Sequence, residues 1–84
     1  MLNHEVKERI ESGIDNAECL VSEFSGGTDY YSVVVISDVF EGLASLKRHR
    51  IIMDLFKEEM DTGEVHALTI KALTRKQWNE QRSN

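Results

Sequence analysis

Cysteine is scarce in this chain: Cys19 stands alone among 84 residues. That excludes an internal disulfide and any zinc or iron–sulfur site built from cysteine alone, so the fold must rest on its core, which suits a reducing compartment. Positive charge is also short, with 10 Lys and Arg against 15 Asp and Glu, a formal net charge of -5. A field of that sign repels phosphate backbones and handicaps non-specific nucleic-acid binding. No apolar run approaches the roughly 20 residues of a membrane span. The opening MLNHEVKERIESG carries acidic residues early, without an apolar signal core or an Arg/Ser-rich transit composition, so a cytoplasmic protein is expected. No Gly-x-Ser-x-Gly, phosphate-loop or dinucleotide pattern occurs. Gly26-Gly27 precedes a strand pattern and lacks the helix N-terminus that makes a phosphate cradle. Glu58 and Glu59 fall on a charged helix face, where solvation accounts for them. A chain of this size also has little volume with which to enclose a dry pocket, so no catalysis is expected.

What is present reads as one small domain over residues 1–84, with an ordered core over about 3–82. Asn3 caps a first helix whose buried face carries Val6 and Ile10, with Leu2 beside them, and Gly13 closes it. Ala17 to Phe24 is a half-buried strand, and Ser25 to Asp29 a hairpin loop with two glycines. Tyr30 to Ser37 is β-branched and aromatic throughout, the pattern of a central strand. Val39 to Gly42 is a short irregular connection. From Ala44 to Met60 the period is helical, with Leu46, Ile52, Leu55, Phe56 and Met60 as the buried stripe and Lys47, Arg48, Lys57, Glu58 and Glu59 facing water. Gly63 stops that helix. Val65 to Leu73 alternates as a third strand, and Thr74 caps a last helix anchored by Trp78. The order is α-β-β-α-β-α: an α+β domain with a three-stranded mixed sheet and helices on one face, the first two strands antiparallel and the third most simply parallel to the second.

Few side chains offer chemistry. Cys19, mid-strand, is a small buried residue. His4 lies near a helix end. His49 stands between Arg48 and Arg50, and three adjacent helical residues cannot serve one face, so part of that cluster is exposed and part turned toward the sheet. His66 shares strand parity with Leu68 and Ile70, which makes it a half-buried histidine of the core face. It also opens the strand, where a side chain reaches the rim and an imidazole can bind metal through one nitrogen. The chain alone has too few soft ligands for a complete site, so such a metal is shared with a partner.

The segments FEGL, KRHR, VHAL and LT-x-x-x-W, in this order and spacing from Tyr31 to Trp78, resemble the BolA family. The resemblance implies a topology similar to type II KH domains, with the third strand parallel to the second, and a protein that is monomeric alone. It implies a non-enzymatic partner of monothiol (CGFS-type) glutaredoxins, with or without a [2Fe-2S] cluster shared with glutaredoxin and glutathione, in iron–sulfur trafficking or iron regulation. His66 takes the position of the shared cluster ligand. The family's second ligand, His or Cys, comes from the loop between the first two strands. Here SGGTDYY has neither, which leaves Asp29, or Cys19 earlier on the strand; a carboxylate oxygen matches a sulfide cluster less well than thiolate or imidazole. The family's other implied role is a DNA-binding transcriptional regulator of morphology and stress response. No Gly-x-x-Gly loop supports it here. What supports it is a basic set of Lys47, Arg48, His49, Arg50, Arg75, Lys76 and Arg82, which equally suits an acidic partner surface.

Overall fold

The computed structural model describes residues 2–23 and 30–82. The elements are α1 (Asn3–Gly13), β1 (Glu18–Glu23), β2 (Tyr30–Ile36), α2 (Ser45–Asp54), α3 (Lys57–Thr62), β3 (Ala67–Leu73) and α4 (Arg75–Arg82), with a single 3-10 turn at Asp38–Phe40. The sheet order is β1-β2-β3. β1 and β2 are antiparallel, with Cys19 opposite Val35. β2 and β3 are parallel, with Tyr30 opposite Ala67 and Val35 opposite Ala72. The mixed α+β sheet and the parallel third strand are as the sequence predicts. The Ser25–Asp29 loop lies outside the described residues.

Strand alternation sorts the sheet into two faces. Cys19, Tyr31, Val33, Val35 and Leu68 are buried against Val6 and Ile10 of α1, Ile52 of α2, and Phe56, with Val21, Ile70 and Ala72 packed at the margin. The opposite face carries Glu18, Leu20, Ser22, Thr69 and Lys71, all exposed. Phe40 is fully buried, so the segment read as an irregular connection supplies a core residue.

Local details depart from expectation in instructive ways. Leu2, not Asn3, is the N-cap of α1; its N–H donates to Glu5 Oε1 at 2.7 Å. Leu2 itself is exposed rather than part of the buried face. Gly13 does end α1, but by leaving room: a Cβ there would meet Leu55 Cδ2 at 2.7 Å. Gly63 caps α3 with φ 83°, the left-handed conformation that glycine adopts without a Cβ clash. At α4, Thr74 and Gln77 cap reciprocally: Gln77 N–H donates to Thr74 Oγ1 at 3.2 Å, and Thr74 N–H to Gln77 Oε1 at 2.9 Å.

The single helix predicted over Ala44 to Met60 is two. At the join, Leu55 and Phe56 donate to the carbonyls of Ile52 and Met53, three residues back. The tightened turn releases the Leu55 carbonyl, which accepts from Arg9 Nη1 at 2.8 Å. The guanidinium also grips Glu59 at 2.9 and 3.0 Å and lies over the Phe56 ring, 5.5 Å from its centroid. Glu59, expected in water, is therefore half-buried in an ion pair that holds its carboxyl below the usual carboxylate range. Leu46, expected in the buried stripe, is 61% exposed, because α2 turns it away from the sheet.

Candidate functional site

His66 stands one residue before β3, outside the ladder whose first rung joins Tyr30 to Ala67. Strand parity therefore does not govern it. The ring is exposed rather than half-buried on the core face, because the sheet that would carry it inward has not begun. It stacks on Tyr30, the centroids 5.9 Å apart and the planes inclined by 21°. Beneath it, Gly63 leaves open contact: a Cβ there would lie 3.7 Å from His66 Cε1. The backbone is pinned just upstream, where Val65 N–H donates to the Glu59 carbonyl at 3.0 Å and the Val65 side chain is buried. An exposed imidazole on a fixed backbone, supported by one aromatic face, can offer a nitrogen to a metal or to a partner's hydrogen-bonding group.

The other proposed ligands stand apart. Cys19 is 1% exposed in the core, and burial pushes its thiol up to about 11, so at neutral pH it is a protonated, inward-facing group. Its rung, Cys19–Val35–Ala72, lies five residues along the sheet from Tyr30–Ala67, about 17 Å at the strand rise. Cys19 is thus no companion to His66. Asp29 lies outside the described residues. Among the described residues, no three His, Cys, Asp or Glu side chains stand close enough together to hold a metal.

The basic set divides. Arg48 is half-buried instead of facing water: its Nε donates to the Leu43 carbonyl at 2.8 Å, and its Nη1 to the Ala72 carbonyl at 3.0 Å and Gln77 Oε1 at 2.8 Å. It ties α2 to the end of β3 and to α4. Arg75 is engaged as well, with Glu18 Oε1 at 3.0 Å and the Asn16 carbonyl at 2.6 Å, while its N–H donates to Asp38 Oδ1 at 3.1 Å. Lys47, His49, Arg50 and Lys76 are exposed, and Arg82 lies 5.7 Å from the Trp78 ring centroid. Periodicity missed the structural roles of Arg9 and Arg48, because each acts on backbone far away in sequence.

The family model described as BolA-like protein matches residues 3–77. The chain belongs to the BolA-like family. Mouse BolA-like protein 1 is 43% identical over 56 residues, 67% of this chain and 40% of that one. A BolA-like crystal structure from Babesia bovis superposes with a TM-score of 0.82 at 29% identity, covering 98% of this chain and 94% of that one. The solution structure of yeast Fra2 gives 0.74 at 33% identity, covering 95% and 86%. The chain spans about 40% of the length of the mammalian BolA-like proteins it matches. Within the BolA-like fold, no described helix of this chain is long and apolar enough to cross a membrane.

Proposed function

We propose that this BolA-like chain is a non-enzymatic adaptor that pairs with a monothiol (CGFS) glutaredoxin, with or without a bridging [2Fe-2S] cluster and glutathione, in iron–sulfur trafficking or iron regulation. The observation that carries this reading is His66, exposed at the open end of the sheet, stacked on Tyr30 and fixed through Val65. In a shared cluster, His66 would be this chain's ligand, with Asp29, which precedes β2 in the sequence, as the further candidate. A histidine-ligated cluster binds and releases with proton competition, which suits transfer. The chain's own part is to hold the imidazole on a stiff backbone and to present neighbouring surface to the glutaredoxin.

The DNA-regulator reading rests on the exposed Lys47, His49, Arg50 and Lys76. It is the weaker one, since Arg48 and Arg75 are occupied with the chain's own oxygens.

Anaerobic reconstitution with a CGFS glutaredoxin, glutathione, iron and sulfide tests the proposal. The mixture should give visible absorption and circular dichroism distinct from the glutaredoxin homodimer, and His66→Ala should abolish the difference. A mutant spectrum identical to that of the unmodified mixture would remove His66 as the ligand. Absence of any complex, with or without cluster, would reject the adaptor reading.

A further inference from the structure

The sheet has two outer edges, and each is tied to a helix at one rung. On β1, the N–H of Cys19 donates to Glu11 Oε2 at 3.0 Å and its carbonyl accepts from Lys7 Nζ at 3.1 Å, so α1 occupies that rung from outside. On β3, the outward groups follow from register. Ser37 N–H donates to the Leu73 carbonyl at 2.9 Å, which turns Leu73 toward β2. Alternation then turns Ala72, Ile70 and Leu68 outward. Arg48 bears this out by taking the Ala72 carbonyl from the outer side. Beyond that point the N–H and C=O of Ile70 and Leu68 have no backbone partner on the outer side among the described residues.

Alongside this edge runs a groove of about 260 Å³, lined by Ser45, Arg48 and His49 from α2 and by Ile70, Lys71, Ala72 and Leu73 of β3. Among the described residues no acidic one lines it, although the chain carries a net charge of -5. The Arg48 guanidinium is bonded to neutral oxygens, two carbonyls and one amide, so its charge is not cancelled there. Lys47 and Arg50 flank the same stretch of α2. Asp38, Glu41 and Glu80 line a separate hollow with Arg48 and Lys76.

We infer that the outer edge of β3 is a docking site for an extended acidic peptide segment of a partner protein, added as a fourth strand. An unpaired edge offers alternating donors and acceptors that a peptide backbone can satisfy, while its side chains read the flanking groove. The charge selects the occupant. Lys71, exposed on the edge strand, repels a second copy of this edge, as edge cations do in general, and attracts carboxylates. A DNA backbone offers acceptors only and leaves the Leu68 and Ile70 carbonyls without donors, whereas a peptide supplies both. The inference is independent of any cluster at His66.

The test uses the full chain, isotope-labelled for NMR, and a capped alternating glutamate–valine heptapeptide. Micromolar-to-millimolar addition should shift the Leu68 and Ile70 amides and slow their hydrogen exchange at least about threefold, with binding that weakens as salt rises. A lysine–valine peptide should bind at least about tenfold more weakly, a ratio equal to 1.4 kcal/mol. A central proline in the acidic peptide should abolish the exchange protection, because it removes a ladder donor. The double variant His49→Glu, Lys71→Glu, both exposed positions, should reverse the preference between the two peptides. Equal binding of the proline peptide would overturn strand addition, and no shift at millimolar peptide would overturn the site. Stronger perturbation of the same amides by duplex DNA would assign the edge to nucleic acid. Perturbation that grows with protein concentration alone would assign it to self-pairing.

Discussion

The β1 edge and the β3 edge belong to one sheet, and each is tied to a helix at one rung: both backbone groups of Cys19 to α1, and only the Ala72 carbonyl to α2, beside a groove with no acidic residue among the described ones. Guarding on the β1 side is local: Lys7 and Glu11, one turn apart on α1, pair at 2.9 Å and bracket Cys19 from outside. On the β3 side a single long-range arginine ties down the last outward carbonyl and leaves the preceding two rungs free. The difference teaches that charge does two jobs in this fold. Arg9, Arg48 and Glu11 complete the backbone; Lys47, His49, Arg50 and Lys71 remain for a partner.

Several substitutions would break or sharpen that contrast. The largest effect is expected for Arg9→Met, which strands the Leu55 carbonyl and the half-buried Glu59 carboxylate; thermal unfolding should show a loss of about 2–3 kcal/mol. Acid titration sharpens it. The Glu59 carboxyl is held below its ordinary value by the Arg9 hydrogen bonds, so its stabilisation is present above the ordinary glutamate pKa and disappears as pH falls through the lowered one. Arg9→Met should flatten that part of the acid profile. Next comes Glu11→Ala on the guarded edge, costing about 1–2 kcal/mol in urea unfolding and speeding exchange of the Cys19 amide. On the open edge, Arg48→Ala should cost about 1 kcal/mol, since water can reach the Ala72 carbonyl; a larger loss there than at Glu11 would invert the contrast. Smallest in stability is His66→Ala, within about 0.5 kcal/mol of the unmodified chain by calorimetry.

Much of this architecture was legible from residues alone. Tyr30 to Ile36 announced a central strand by its β-branched run, Gly63 its left-handed cap, and Thr74 its helix start, because each signal acts over a few neighbours. What escaped involved partners far apart in the chain. The kink at Leu55 depends on Arg9, 46 residues earlier, and the burial of Arg48 on Ala72, 24 residues later. No period in the sequence encodes either. At the candidate site, the place of His66 beside the start of the third strand was legible in the sequence. Its exposure was not, because parity applies only within the ladder and His66 stands just outside it. Asp29 lies outside the described residues, and Cys19 is the small buried residue its mid-strand place predicts.

The break between α2 and α3 has a consequence for how the molecule opens. α3 fully buries none of its own residues and is held to the body by Met60 packed against the core, by the Arg9–Glu59 pair and by the Val65 hydrogen bond. Such a segment is a natural unit of partial unfolding, able to detach while the sheet stays intact. Val65, buried in the core between that unit and His66, stays with the sheet, so the imidazole keeps its address even when the turn ahead of it opens.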